Sequence, residues 1–443
     1  MGRTYFGTDG VRGRVGEHPM TAEFALRLAS AAARVLAPEG GTALVGKDTR
    51  LSGYMFEAAL EAGIAAAGVN VKLIGPLPTP GIAYLTQRFG CAFGVVISAS
   101  HNLYEDNGIK FFDAEGGKLS DETEERIEEL LDGPVLTRDS MSLGTATRVD
   151  KSRVVYQEFC ASTLPAGMDL SGLKIVVDCA NGAAYKVAPR VLSDLGAEII
   201  PIGCSPNGRN INLRCGSTAP ELLQLTVAGI GADVGIGLDG DGDRLVMVDH
   251  LGRLVDGDHL LYVIARDRKA QGELLGPVVG TVMSNLGLEH ALAAEGVEFR
   301  RAKVGDRYVL AMLREAGGML GGETSGHLLC LDRTTTGDGL VSALQVLAVM
   351  KRTGRRLAEL TSGMTRFPQV MVNVRVRERV DPGRSPVIQD AVRRVEQALG
   401  SAGRVVLRAS GTEPLIRVMV EGRDESVVQR HADELAEVVR QAV

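Results

Sequence analysis

The sequence predicts an α/β protein with three similar domains of parallel or mixed sheets, followed by a smaller α+β domain, all four around a central cleft. Three observations lead to this prediction. The chain has 443 residues, which is too long for a single hydrophobic core. Three successive segments repeat one order of strands and helices, whereas the last segment differs. We place the domains at residues 1–150, 151–253, 254–366 and 367–443.

Each of the first three domains is predicted to contain three strands separated by two helices. In the first domain these elements lie at 43–45, 53–67, 71–74, 82–89 and up to residue 97. The corresponding elements lie at 174–177, 183–195, 198–202, 221–229 and 233–238 in the second domain, and at 277–282, 286–295, 298–302, 307–315 and 319–321 in the third. Strands that alternate with helices predict parallel sheets joined by right-handed crossovers.

The last domain has a different pattern. VMVNVRV at 370–376 alternates with period two, as a half-buried strand does. A helix is predicted at 388–399, strands at 404–408 and 417–421, and an amphipathic helix at 426–441. This order predicts a small α+β domain.

A polar loop follows the last strand of each repeated segment. The three loops are SASHN at 98–102, DGDGDR at 239–244 and GGETSGH at 321–327. Ligands of open α/β sheets bind beyond the carboxyl ends of the strands. We therefore expect the three loops to line one cleft.

The loop DGDGDR predicts a metal site. Asp239, Asp241 and Asp243 alternate with glycine, and in extended backbone they would project to one face. Three converging carboxylates repel one another unless a cation lies between them, and oxygen ligands favour Mg²⁺, Mn²⁺ or Ca²⁺. The alternative is a solvated acidic turn. An EF-hand is excluded, because Arg244 stands where that loop requires Gly and His250 where it requires Glu.

The loop SASHN contains a candidate nucleophile, Ser100. A hydrolase triad is not indicated, because there is no G-x-S-x-G motif and His101 is adjacent in sequence. A phosphorylated serine beside a metal held by aspartates is more coherent, since the metal would neutralise the phosphoryl oxygens. Lys110 could supply a proton or a charge there, and Arg12 could contact the same phosphoryl group.

Two further loops suit a phosphorylated sugar. Arg408 and Arg417 bracket a Ser-Gly-Thr turn between two predicted strands, and guanidinium, hydroxyl and turn N–H groups suit a phosphate monoester. The alternative is an ordinary hairpin turn with surface arginines. In GGETSGH, a carboxylate beside a hydroxyl suits sugar hydroxyl groups, although a plain glycine-rich loop explains that sequence equally well.

Composition and motif context exclude several other classes. A net charge of -6 and a pI of about 5.8 argue against a nucleic-acid-binding protein. MGRTYFGTDG lacks the apolar run of a signal peptide, and no stretch approaches the ~18 apolar residues of a membrane helix. The six cysteines form no C-x-x-C pair, so we expect reduced thiols in a cytoplasmic protein without membrane contact. GIGLDG at 235–240 and GTALVGKD at 41–48 only approximate nucleotide-binding motifs, each in the wrong context.

Five motifs, in order and spanning almost the whole chain, resemble those of the α-D-phosphohexomutases. They are FGTDGVRG at 6–13, SASHN with DNGIK at 106–110, DGDGDR, GGETSGH, and RASGTEPLIRVMVEG at 408–422. The first and last look most like the branch that acts on glucosamine phosphates. The resemblance implies interconversion of glucosamine 6-phosphate and glucosamine 1-phosphate through a 1,6-bisphosphate, on the way to UDP-N-acetylglucosamine and the bacterial cell wall.

The resemblance also implies roles for individual residues. Ser100 is the phosphoserine and, with Asp239, Asp241 and Asp243, holds one Mg²⁺ per subunit. The catalytic group further comprises Arg12, His101, Lys110 and Arg244. The sugar is bound by Glu323, Ser325 and His327, and the non-reacting phosphate by Arg408, Ser410, Gly411, Thr412 and Arg417. Glucose 1,6-bisphosphate or glucosamine 1,6-bisphosphate is implied as activator, and a homodimer as the assembly.

The sequence departs from the family pattern at two positions and leaves rival functions open. Leu103 stands where the family commonly has Pro, and Thr324 where the glucosamine branch often has Gln. The first rival is a phosphomannomutase or phosphoglucomutase. The second is a metal-dependent sugar phosphatase that uses Ser100, and the third is a non-catalytic sugar-phosphate-binding protein.

Overall fold

Four β-sheets form the framework of the computed structural model, which describes residues 3–376, 381–409 and 415–442. Three sheets are mixed and the fourth is antiparallel, so the predicted fold class is confirmed. Within the described ranges, none of the helices combines the length and the apolar character needed to cross a membrane.

The first sheet has six strands and is flanked by four helices. The strands are β1 (Val11–Arg14), β2 (Thr42–Lys47), β3 (Asn70–Pro76), β4 (Phe93–Ile97), β5 (Asp106–Phe112) and β6 (Ala146–Arg148). The helices are α1 (Ala22–Leu36), α2 (Gly53–Ala66), α3 (Thr79–Arg88) and α4 (Asp121–Glu129). The strand order is β1-β5-β4-β2-β3-β6, with β5 antiparallel to β4 and to β1.

The second sheet has five strands. They are β7 (Lys174–Asp178), β8 (Glu198–Ile202), β9 (Val234–Leu238), β10 (Leu245–Asp249) and β11 (Leu254–Val255), in the order β11-β10-β9-β7-β8. The helices are α5 (Ser152–Ser162), α6 (Ala188–Asp194) and α7 (Glu221–Ile230). The helix predicted at 183–195 is wrong as one element: a 3₁₀ turn at Ala183–Lys186 precedes α6, because Pro189 begins a new helix.

The third sheet has four strands. They are β12 (Val278–Thr281), β13 (Phe299–Ala302), β14 (Leu320–Gly322) and β15 (Leu328–Cys330), in the order β13-β12-β14-β15. The helices are α8 (Gly257–Gln271), α9 (Leu286–Ala294), α10 (Asp306–Ala316), α11 (Gly339–Thr353) and α12 (Leu357–Leu360). The alternation of strands and helices follows the prediction for this segment.

The last domain is built on a three-stranded antiparallel sheet. Its strands are β16 (Gln369–Arg375), β17 (Gly403–Ala409) and β18 (Leu415–Gly422), in the order β16-β18-β17. Its helices are α13 (Pro386–Leu399) and α14 (Glu425–Ala442). These bounds agree with the predicted α+β pattern to within two residues at each end.

One four-stranded unit recurs in the first three sheets. Three parallel strands are followed by an antiparallel fourth: β3-β2-β4-β5, β8-β7-β9-β10 and β13-β12-β14-β15. The third parallel strand therefore turns back through a hairpin. The three polar loops singled out in the sequence are these hairpins, so they lie at equivalent places in three copies of one unit.

The first three domains share a continuous core, whereas the fourth has its own. One buried cluster contains apolar residues from all three of the mixed-sheet domains, and α11 runs through it with every residue from Gly339 to Met350 buried. The apolar clusters of the fourth domain lie apart from it. The first three domains therefore pack as one body that carries the three hairpins.

Candidate active site

Ser100 lies at the buried end of β4, in an uncommon backbone conformation. All five residues of β4 are buried, and Ser100 has a φ of 52° with no exposed surface. Its backbone N–H donates to Ser98 Oγ at 3.0 Å, and its hydroxyl donates to Asp239 Oδ2 at 2.7 Å. A left-handed φ costs a non-glycine residue free energy, so the surroundings must hold this loop in place.

Arg50, which is fully buried, holds the serine loop. Its guanidinium donates to four backbone carbonyl oxygens of the hairpin, those of Ser100, Asn102, Leu103 and Asp106. Asp48 fixes the guanidinium through a 2.8 Å bond from Arg50 Nε and also accepts from the Ser98 hydroxyl at 2.6 Å. Both residues follow β2: Asp48 ends the stretch that only approximates a P-loop, and Arg50 lies two residues beyond it. Sequence analysis gave them no role.

A second brace reaches the serine loop from the second domain. Asn212 Nδ2 donates to the carbonyl oxygens of Ser100 and Asn102, at 2.8 and 2.9 Å. Asn212 is itself buried and has a φ of 58°. The hairpin that carries Ser100 is thus clamped from two domains.

The three aspartates converge as predicted, although the geometric reason was wrong. One carboxylate oxygen from each of Asp239, Asp241 and Asp243 lies within 4.8 Å of the others. The backbone is a turn and not an extended strand: Gly242 has a φ of 73° and donates its N–H to the Asp239 carbonyl oxygen at 3.1 Å. The glycine supplies the left-handed conformation that the turn requires.

The aspartate cluster fits a divalent cation. Asp241 Oδ1 and Asp243 Oδ1 are buried and have no hydrogen-bond partner among the described residues. Burial and the neighbouring carboxylates raise the pKa of Asp239 well above its usual value. A cation held by these oxygens would supply the missing partners and relieve the repulsion. An all-oxygen set of this kind suits Mg²⁺.

Lys110 extends from β5 into the aspartate cluster. Its Nζ lies 2.8 Å from Asp241 Oδ2 and 2.9 Å from Asp9 Oδ2, and these carboxylates outweigh burial and raise its pKa. Asp9 also pairs with Arg12. Burial opposes ionisation of Asp9, but the positive charges of Lys110, Lys118 and Arg12 hold its pKa well below its usual value. Asp9 lies in FGTDGVRG, yet only Arg12 was singled out there.

A chain of ion pairs continues from Asp9 into the third domain. Lys118 Nζ lies 2.7 Å from Asp9 Oδ1 and 2.6 Å from Asp306 Oδ2. His327 Nε2 lies 3.3 Å from Asp306, and its Nδ1 lies 3.6 Å from Asp243. These carboxylates outweigh burial and raise the pKa of His327 to about 9. The pairs connect three domains around the cleft floor, and no sequence motif indicated Lys118 or Asp306.

His101 lies beside the serine hydroxyl, and Arg244 lies beside Asp239. His101 Nδ1 is 3.4 Å from Ser100 Oγ. Burial, together with the positive charges of Arg244 and Arg12, lowers the pKa of His101 to about 4. His101 is therefore neutral near pH 7. The Arg244 backbone N–H donates to Asp239 Oδ1 at 3.2 Å.

The third hairpin places Glu323 in the cleft and Ser325 at the surface. Glu323 Oε1 accepts from the Gly305 backbone N–H at 2.9 Å, which fixes the carboxylate. Ser325 is exposed. Thr324, the departure from the family pattern, points its hydroxyl to Asp258 Oδ2 at 2.8 Å.

Arg408 and Arg417 stand directly opposite each other on β17 and β18. Burial and the facing Arg417 lower the pKa of Arg408. Like charges placed opposite each other in an antiparallel pair repel, so this arrangement favours a bound anion. Ser410, Gly411 and Thr412 lie outside the described residues.

A cavity of about 650 Å³ joins these groups. All four domains line it, among others with Arg12, Arg244, Glu323, His327 and Arg408. Its volume suits a small polar molecule. The predicted central cleft is therefore present, and its lining residues come from FGTDGVRG, DGDGDR, GGETSGH and the strand that carries Arg408, whereas Ser100 is buried and contacts Asp239 of the metal loop.

Sequence models of the phosphoglucomutase/phosphomannomutase family match the chain in four consecutive blocks. They are the alpha/beta/alpha domains I, II and III, at residues 3–134, 156–252 and 256–367, and the C-terminal domain at 371–438. The chain belongs to this family. The predicted family resemblance is confirmed.

Individual family members are similar over their whole length. The phosphoglucosamine mutase of Methylococcus capsulatus is 59% identical over 444 residues, covering 100% of this chain and 99% of the relative. A phosphoglucomutase/phosphomannomutase family protein from Burkholderia thailandensis has a TM-score of 0.82 at 25% identity, covering 100% of this chain and 98% of the other. N-acetylphosphoglucosamine mutase from Aspergillus fumigatus, solved with GlcNAc-6P and magnesium, has a TM-score of 0.69 at 18% identity, with coverage of 99% and 96%.

Proposed function

We propose that this member of the family interconverts glucosamine 6-phosphate and glucosamine 1-phosphate, as a phosphoglucosamine mutase. The observation that carries the proposal is the 2.7 Å contact between Ser100 Oγ and Asp239, inside an aspartate cluster that faces a cleft lined by all four domains. The relatives named phosphoglucosamine mutase, 56–59% identical over the full chain, support the glucosamine substrate.

Phosphoryl transfer starts from phosphorylated Ser100. The bond between phosphorus and Oγ breaks as a bond to the free sugar hydroxyl forms, giving a 1,6-bisphosphate. His101, neutral near pH 7, accepts the hydroxyl proton and passes it to the departing Oγ, while Lys110 and Arg12 stabilise the phosphoryl charge. After the bisphosphate reorients in the cleft, Ser100 Oγ attacks its other phosphate, and the departing sugar oxygen takes the proton that the serine hydroxyl gives up. Mg²⁺ held by Asp239, Asp241 and Asp243 would neutralise phosphoryl oxygens during transfer.

The distal site must accept two orientations of the sugar. Arg408 and Arg417 bind the non-reacting phosphate, with Ser410, Gly411 and Thr412 proposed from the sequence to complete that site. Glu323, Ser325 and His327 contact sugar hydroxyls. A site that binds the phosphate tightly and the sugar ring weakly can bind the sugar in both orientations.

We extend the proposal to accessory features. Glucose 1,6-bisphosphate or glucosamine 1,6-bisphosphate serves as activator by phosphorylating Ser100, Mg²⁺ binds once per subunit, and the protein works as a homodimer. All six cysteines are free thiols, which supports a cytoplasmic location. The domains at 1–150, 151–253, 254–366 and 367–443 carry the phosphoserine, metal, sugar and phosphate sites.

The test compares glucosamine, glucose and mannose phosphates side by side and follows both mutase activity and release of inorganic phosphate. We expect the highest kcat/KM with glucosamine phosphate, and intact mass should show a phosphoryl group that phosphatase removes. Ser100→Ala should abolish turnover. A preference for mannose or glucose phosphate would favour the rival mutases, and stoichiometric phosphate release would favour a phosphatase.

A further inference from the structure

We infer that the cross-strand pair Arg404–Glu421, docked on the turn at 282–286, is a positioning device that sets Arg408 and Arg417 over the cleft. The inference rests on the proposed function of those two arginines in phosphate binding. It concerns a contact between the third and fourth domains, remote from the reacting groups.

Arg404 and Glu421 bond to each other across their strands, and both also bond to the third domain. Arg404 Nε donates to Glu421 Oε2 at 2.6 Å, and Glu421 is fully buried. The two terminal nitrogens of Arg404 donate to the carbonyl oxygens of Val282 and Ser284, at 2.8 and 2.6 Å. Glu421 Oε1 accepts from the Leu286 N–H at 2.9 Å. Both side chains therefore bind the same turn.

The anchor and the phosphate arginines lie on one two-stranded ribbon. Arg404 stands opposite Glu421, and Arg408 stands opposite Arg417, in the continuous register of β17 and β18. The two pairs are four residues apart, so they project from the same face, roughly 13 Å from each other. A paired ribbon transmits orientation over that length, and any tilt at the anchor displaces the arginines.

Asp258 links the turn to the sugar loop. Asp258 Oδ2 accepts from the Asn285 N–H and from the Thr324 hydroxyl, both at 2.8 Å. The Asn285 side chain exchanges two bonds with the backbone of Phe367, which leads into the fourth domain. One turn thus fixes the position of the sugar loop relative to the phosphate arginines.

A buried ion pair is weak evidence for stability, because desolvation offsets its attraction. The fourth domain has an apolar core of its own, separate from that of the other three. The directional bonds of Arg404 and Glu421 therefore fix the orientation of the fourth domain, which the shared apolar core does not include.

The experiment is a double-mutant cycle. Arg404→Met keeps an apolar stem but removes the charge-assisted bonds, and should raise KM for both sugar phosphates about tenfold with a smaller change in kcat. Arg417→Ala removes the phosphate contact itself. If Arg404 acts through the arginines, the double variant should be little worse than Arg417→Ala alone. Additive losses would overturn the inference. Arg440→Met, which breaks an exposed ion pair on α14, is the matched control and should leave KM unchanged.

Hydrogen exchange without ligand separates this inference from the proposed function. Arg404→Met should increase exchange at residues 282–286 and at the facing ends of β17 and β18, while the first domain stays protected. Unchanged exchange would overturn the inference even in an active mutase. If exchange increases in a protein that has no mutase activity, the positioning role of Arg404 and Glu421 would be supported and the proposed function would be contradicted. If Arg404→Met fails to fold, Glu421→Gln, nearly identical in shape, replaces it in both measurements.

Discussion

The two carboxylate oxygens of Asp241 differ in their contacts: one accepts hydrogen bonds from the protein, and the other is buried. Oδ2 accepts from Thr79 Oγ1 and Lys110 Nζ, at 2.7 and 2.8 Å, whereas Oδ1 has no partner among the described residues. A carboxylate held in this way is oriented before any cation arrives. Removing its charge should therefore affect the cation more than the fold.

Asp241→Asn is expected to lower kcat about 100-fold or more while the melting temperature changes little, because one charge is lost with little change of shape. EDTA should abolish wild-type activity and Mg²⁺ should restore it, and calorimetry should show weaker Mg²⁺ binding by the variant. Asp433→Asn, at an exposed position on α14, is the control. Full activity after exhaustive chelation would exclude a metal-dependent reaction.

Lys118 is the residue whose loss should disturb the floor of the cleft most broadly. It separates the carboxylates of Asp9 and Asp306, and its side chain is only 16% exposed. Lys118→Met leaves two partly buried carboxylates facing each other, so we expect unfolding to become easier by about 3 kcal/mol. Denaturant unfolding measures this change, with Lys269→Met, whose Nζ donates to the Gly296 carbonyl oxygen, for comparison. Equal stability of both variants would contradict the bridging role.

At the scale of single elements, the hairpin between β4 and β5 depends on Arg50. A lysine at that place retains the charge but cannot direct donors at four separate carbonyl oxygens. The loop would then relax from the left-handed conformation of Ser100.

Arg50→Lys should therefore reduce kcat by about tenfold to 100-fold with little change in KM, because the phosphate and sugar contacts lie on other loops. Steady-state kinetics in both directions provide the measurement. Arg190→Lys, in an exposed ion pair on α6, should behave as wild type. A loss confined to KM would argue against positioning of the serine.

Several elements could be predicted from the sequence because their pattern is local. Strands such as β8 were placed to the residue. The residues of the antiparallel strand β10 are strand-like in sequence but were not placed in the predicted sheet, since all five are buried and lack the alternation typical of a strand at the edge of a sheet. Helix α11 was missed because it is apolar around most of its circumference and shows no amphipathic period.

The candidate site divides in the same manner. Ser100 and the three aspartates form compact motifs whose chemistry is apparent without coordinates. Arg50 and Lys118 act through partners far away in sequence, and an isolated basic residue is indistinguishable from a surface charge until the fold brings those partners to it. Their roles could not be predicted from a single sequence.

At the scale of the whole molecule, one polar contact crosses the core shared by the first three domains. Tyr156 of α5 donates to Asp338 Oδ2 at 2.7 Å, and Asp338 also accepts from the Val341 N–H at the start of α11, at 3.0 Å. Burial raises the pKa of Asp338 to about 6. In the unfolded chain an aspartic acid titrates near 3.8.

This difference predicts how stability changes with pH. Between about pH 4 and pH 6 the folded protein holds a proton at Asp338 that the unfolded chain has released, so rising pH weakens the fold and the loss is complete above about pH 6. Asp338→Asn caps the helix equally well but does not titrate. Its free energy of unfolding relative to wild type should therefore rise from pH 4.5 to pH 6.5, by about 2–3 kcal/mol at most, and then level off, which denaturant unfolding at each pH measures. A difference independent of pH would exclude this carboxyl as the cause.

Under the proposed function, the three repeated hairpins carry three parts of one reaction on three copies of one structural unit. Each loop spans two strands that are already paired, so the strand pairing at the other two hairpins does not depend on its length or sequence. Phosphoryl chemistry and the choice of sugar are thus separately adjustable. Substitutions in the third hairpin can suit another pattern of hydroxyl groups while the first keeps its serine and the second its aspartates. A single scaffold thereby supports a series of enzymes with different substrates.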